Sequence, residues 1–87
     1  MDFEFDLAKD AINRAKHGVS LAAVADFELM TFFEVKRNAY GEVRYIGDGI
    51  LNQLPHVLVF TRPTAGIVRA ISLRRSHLKE FRRNVES

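Results

Sequence analysis

Hydrophobic and polar positions change their spacing several times along the chain, and each change predicts an element. Phe3 and Phe5 alternate with acids, the pattern of a short half-buried strand, and Asp6 stands where a helix N-cap would. Leu7, Ala8, Ala11, Ile12 and Ala15 then recur at helical spacing as far as Gly18, which suits a C-terminal cap of positive φ. On this helix Ala8, Ala11 and Ala15 form the arc expected to pack. Lys9, Asn13 and Lys16 form the opposite, wet arc, with Asp6 and His17 beside them. Ser20 caps a second, shorter helix carrying Leu21, Val24 and Phe27, after which Met30 to Lys36 turns β-branched and aromatic and reads as strand.

Asn38 to Gly41 reads as a hairpin turn leading into a strand from Glu42 to about Asp48, with Val43 and Tyr45 on one face. Gly49 to Pro55 reads as a connection. His56 to Arg62 contains the apolar run Val57 to Phe60, which predicts a strand covered on both faces and central in the sheet. Arg62 to Gly66 turns the chain back into a strand from Ile67 to Arg74. A helix follows from about Ser76, with Leu78, Phe81 and Val85 as its stripe. The order β-α-α-β-β-β-β-α predicts an α+β fold: an antiparallel four-stranded meander, to which the N-terminal strand can add a short edge, packed with two N-terminal helices and one C-terminal helix. Residues 1–87 read as one domain.

Composition narrows the function classes. At 47% hydrophobic, with 5 Gly, 2 Pro and no Cys, the chain is too apolar for disorder, and neither disulfides nor a thiolate zinc site support its core. The acidic start and the short apolar runs predict neither a signal peptide nor a membrane span, so a cytoplasmic location is expected. The net charge of +2 hides an asymmetry. Residues 1–61 hold 6 basic and 9 acidic side chains, and residues 62–87 hold 7 and 2, with six Arg among the seven. A polyanion is the expected partner of that basic end. Read from charge alone, a solvated terminal helix is the simpler account.

Phe3-Glu4-Phe5-Asp6, followed by Lys9, Asn13 and Lys16-His17-Gly18-Val19-Ser20, resembles the opening of the BrnT toxins, small bacterial ribonucleases of toxin–antitoxin pairs related in fold to the RelE toxins. Gly41-Glu42-Val43-Arg44-Tyr45 resembles the central Gly-Glu-x-Arg segment of that family. Arg69 to Arg75 resembles its C-terminal strand ending in basic residues. Phe5 stands where the family usually has Trp, and Leu7 and Ala22-Ala23 where acids are common. The resemblance implies a toxin that cleaves RNA without metal or other cofactor and so arrests growth and translation. It also implies a cognate ribbon-helix-helix antitoxin resembling BrnA, with DNA reached only through that antitoxin.

The residues are compatible with such chemistry. RNA carries its own nucleophile in the 2′-hydroxyl, so cleavage needs a base, cations for the phosphate and an acid for the departing 5′-oxygen. His17, His56 and His77 show no i, i+4 pairing and no paired-carboxylate motif appears, which argues against a zinc or two-metal nuclease. His17 is the first candidate for proton transfer; as a residue just before a Gly cap, it equally suits a plain interaction with the helix C-terminus. Glu42 is the alternative base, or a carboxylate that simply holds Arg44. Lys16, Arg44, Arg74 and Arg75 are candidates for stabilising the phosphorane, and Lys9, Asn13, Arg69, Lys79 and Arg82 for holding RNA. Simple alternation sets Arg69 on the side away from Ser72 and Arg74, which suits a partly buried Arg69 paired with Asp6 or Glu42. Tyr40 and Tyr45 suit base stacking or plain packing. The alternative to the enzyme is a non-catalytic module for nucleic acid or protein, or an inactive toxin relic.

Overall fold

The computed structural model describes residues 1–35 and 42–86. In chain order the elements are β1 (Phe3–Glu4), α1 (Leu7–His17), a 3₁₀ helix (Leu21–Asp26), β2 (Glu28–Val35), β3 (Arg44–Leu51), β4 (Leu54–Thr64), β5 (Ile67–Arg75) and α2 (Leu78–Glu86). The strands form one sheet in the order β1-β5-β4-β3-β2. Neighbours from β2 to β5 are antiparallel, and β1 lies parallel to β5 with Phe3 opposite Val68.

The α+β class and the central position of the apolar strand agree with the sequence pattern, and two features correct it. The sheet is mixed and five-stranded rather than a four-stranded antiparallel meander, since a two-residue strand carries too little pattern to show which neighbour it joins. The second N-terminal helix is a 3₁₀ turn, so one α-helix, not two, precedes β2 among the described residues. At three residues per turn Leu21, Val24 and Phe27 all project to one side, and all three are buried. The caps are as expected: Asp6 accepts from the Ala8 amide at 2.7 Å, Gly18 takes φ 72°, and Ser20 accepts from the Ala22 amide.

Residues 49–55 are a tight hairpin rather than a loose connection. Strand β3 runs to Leu51, β4 starts at Leu54, and Asn52 and Gln53 between them both take positive φ, 51° and 67°. The turn carries no glycine, which is why the pattern misses it. The turn expected at Asn38 to Gly41, with Tyr40, lies outside the described residues.

One sheet face packs Leu58, Phe60, Ala70 and Leu73 against Leu21, Val24 and Phe27. We call it the core face. Gly49 lies there, opposite His56, and a Cβ at this position would collide with the Glu28 carbonyl and fall 2.6 Å from Phe27 Cζ. Helix α2 covers part of the other, outer face, with Asn84 reaching Asp48 and Glu80 reaching Arg74. Tyr45 packs within the core-face aromatics, stacked on Phe60 at 5.3 Å.

Helix α1 inverts its expected orientation. Asp10 and Asn13 are buried, whereas Ala8, Ala11 and Ala15 are exposed, as are Leu7 (79%) and Ile12 (63%). The cause is the edge of β5, where β1 pairs with only two residues and leaves the rest of the strand needing hydrogen-bond partners more than apolar cover. Asn13 supplies them, donating to the Leu73 carbonyl at 2.9 Å and accepting from the Leu73 amide at 3.0 Å. Its amide also donates to the Val19 carbonyl at 2.8 Å. Asp10 accepts from the Leu21 amide at 2.7 Å and from the Ser20 hydroxyl at 3.0 Å, joining α1 to the 3₁₀ helix.

Candidate active site

The Asn13 clamp sets the register of α1 against β5, and the two elements run in the same direction along a shared groove. At one end Lys9 and Asp6 face Arg69 and Ala70 across a cavity of about 520 Å³. At the other, Lys9, Ile12, Lys16 and His17 face Ile71 and Ser72 across one of about 200 Å³. Lys9 lines both, so the two cavities adjoin at that side chain along the β5 edge.

An irregularity in β5 decides what its floor presents. Val59 is opposite Ser72 and Phe60 opposite Ala70, so Ile71 is an extra residue with no partner on β4. Because of this bulge, Arg69, Ser72 and Arg74 all point to the outer face, where uninterrupted alternation would separate Arg69 from the other two. Arg44 joins them: it precedes Tyr45, whose partner Phe60 is on the core face. Three Arg side chains therefore share one sheet face with the groove. Arg75, next along the strand, is opposite buried His56 on the core side, and it is exposed.

The acids divide these cations into held and free. Arg69 is held by Glu4 at 2.6 Å, with both side chains about half exposed, rather than buried against Asp6 or Glu42. Arg74 is held by Glu80 at 3.2 Å and Arg44 by Glu42 at 3.9 Å. Lys9, Lys16 and Arg75 make no ion pair among the described residues. Half-exposed pairs of this kind contribute little to stability, so an RNA phosphate can compete for the Arg. Asp10, behind the groove, is kept below the ordinary carboxylate value chiefly by the Leu21 amide, with Ser20 and Arg14 adding to it against burial. Asp48, under α2, is pushed up, chiefly by burial.

The expected site residues therefore separate. Lys9, Lys16, His17 and Arg69 come together along the groove, and Arg74 shares its sheet face. Arg44 and Glu42 stand two strands away, while Lys79 and Arg82 are exposed on α2. Asn13 is a correction: with its amide committed to Val19 and Leu73 and its side chain buried, it positions α1 and has no donor left for RNA. Glu4, Ile12, Ile71 and Ser72 enter the site unannounced. Ser72, a lone polar residue between Ile71 and Leu73, carried the one signal that pattern could have used.

The model of the BrnT ribonuclease toxins of type II toxin–antitoxin systems matches residues 5–80. The chain belongs to the BrnT family. Among solved structures, the 1.1 Å crystal structure of the Brucella abortus ribonuclease toxin BrnT shares this fold, with a TM-score of 0.66 at 21% identity over 88% of this chain and 97% of that one. No curated protein matches the sequence. Within this BrnT chain the matched span contains the whole groove apart from Glu4, and Lys16-His17-Gly18 closes its α1 side. Membership in a type II toxin–antitoxin family implies an RNA substrate and an antitoxin partner.

Proposed function

We propose that the chain is a metal-independent endoribonuclease of a toxin–antitoxin pair, and that RNA is cut in the groove between α1 and β5. The observation that carries this reading is the gathering of Lys9, Lys16 and His17 on α1 opposite Ser72 and Arg69 of β5. The 2′-oxygen attacks phosphorus while His17 takes its proton, the bond to the 5′-oxygen breaks as that oxygen takes a proton from solvent water, and a 2′,3′-cyclic phosphate and a free 5′-hydroxyl remain. Lys16 and Arg74 face the charge that builds on the phosphate oxygens. Lys9 and Arg69 hold the flanking backbone, with Arg69 released from Glu4 as the phosphate arrives. Lys79 and Arg82, on the exposed side of α2, extend the positive field rather than touch the reacting atoms. The antitoxin is of the BrnA-like ribbon-helix-helix type in this reading, and it alone contacts DNA.

The test is incubation of the purified chain with labelled single-stranded RNA and its all-deoxy counterpart in excess chelator, the ends being identified chemically. Cutting of RNA alone, leaving 2′,3′-cyclic phosphate ends, is expected. Intact RNA that remains bound would assign the chain to the non-catalytic alternative.

A further inference from the structure

The outer side of α1 is apolar across its full width. At 100° per residue, Leu7, Ala11, Ala15, Ala8 and Ile12 occupy one arc of about 140° uninterrupted by a polar side chain. All five are exposed. On one side the arc is bordered by Arg14, which stays 59% exposed despite its bridge to Asp10, and on the other by Lys16 and Lys9, which have no ion pair among the described residues. A solvent-facing helix ordinarily shows the reverse distribution, so this face is built for a partner.

From this arrangement we infer that the outer face of α1 is the docking surface for a three-turn amphipathic helix of the antitoxin, with an apolar stripe flanked by Asp or Glu. The 11 residues of α1 span about 16 Å, which sets the length of the contact. Ala8, Ala11 and Ala15 let the partner backbone come close, and Leu7 and Ile12 supply the knobs. The bordering charges select the occupant: a second copy of this chain would bring two basic borders together, whereas acids flanking an incoming stripe meet Arg14 on one side and Lys9 and Lys16 on the other. The same docking explains inhibition. Ile12, Lys9 and Lys16 belong to the edge shared by this face and the RNA groove, so a helix seated on α1 covers the groove from its open side. The inference rests on the toxin reading only for the identity of the partner as the antitoxin.

The test is calorimetric titration of the full chain with the purified antitoxin encoded in the same operon, with RNA cleavage read separately. Leu7→Glu/Ala11→Glu changes exposed positions outside the groove, so basal cleavage and the melting temperature should stay at wild-type values. Antitoxin affinity should fall about 100-fold or more, because apolar contact is lost and carboxylates face acids. Phe33→Glu, on the outer sheet face, should bind as wild type. Wild-type affinity in the α1 variant, or loss in Phe33→Glu alone, would overturn the proposal. So would a wild-type chain that ignores the antitoxin and instead self-associates through α1 or binds anionic phospholipid vesicles. A chain that never cuts RNA but loses the antitoxin through the α1 variant would refute the ribonuclease reading and leave the docking surface standing.

Discussion

Removing the Asn13 side chain amide should loosen α1 from the sheet at a cost that the hydrogen bonds fix. Asn13→Ala leaves the Leu73 amide, the Leu73 carbonyl and the Val19 carbonyl without partners, at a residue 3% exposed. A buried backbone group left unsatisfied costs about 1–3 kcal/mol, and water entering the vacated space recovers part of it, so the total is about 2–4 kcal/mol. A chain of this length has about 4–13 kcal/mol to lose. In urea, with a slope of about 1 kcal/mol per molar, the unfolding midpoint should therefore drop by about 2 M or more. Asn13→Asp tests the same geometry differently, since it keeps the acceptor for the Leu73 amide and turns an oxygen against two carbonyls; it should be no less damaging. A loss under about 1 kcal/mol in both variants would refute the argument that the amide, rather than apolar packing, holds α1 at the β5 edge.

Two further outcomes follow from buried features of the sheet. Asp48 is fully buried with Oδ2 unpartnered, and burial raises its pKa above the ordinary 3.8, with Glu80 adding to this and Asn84 and Arg74 opposing it. Its charged form is the disfavoured one in the fold, so the penalty is absent below the ordinary value and grows as pH rises through it to the raised value. Asp48→Asn should accordingly melt higher than wild type at pH 7 and converge with it in acid; equal melting at neutral pH would contradict this. Gly49→Ala drives a methyl into the Glu28 carbonyl and the Phe27 ring and should cost about 1–3 kcal/mol in chemical denaturation, whereas an unchanged midpoint would contradict the close approach.

Elements with a period or a cap were legible in the sequence, and features set by tertiary hydrogen bonding were not. Asp6, Gly18 and Ser20 announce the helix boundaries because capping is local chemistry. The Val57 to Phe60 run announces the central strand because only a doubly covered strand tolerates it. The pattern alone turns helix α1 inside out, because periodicity reports where the apolar arc is, not whether it is buried. At the β5 edge, polar Asn13 and Asp10 satisfy backbone groups that an alanine face cannot. The Ile71 bulge was invisible for a related reason, since nothing in Arg69 to Arg74 marks the extra residue, and with it went the correct side of Arg69. Lys9, Lys16 and His17 are neighbours on one helix by spacing; that they line the groove beside β5 follows from the Asn13 clamp.

The central claim is that the α1–β5 groove is where RNA is cut, and single-turnover cleavage of one labelled RNA by matched variants tests it most directly. His17→Ala and Lys16→Ala should each slow cleavage by about 100-fold or more while melting as wild type does. Lys79→Ala and Arg82→Ala, on the far side of α2, should change it by only a few fold, and less as salt is raised. Cleavage that survives both groove variants and collapses with either α2 variant would place the chemistry elsewhere on the molecule and contradict the account.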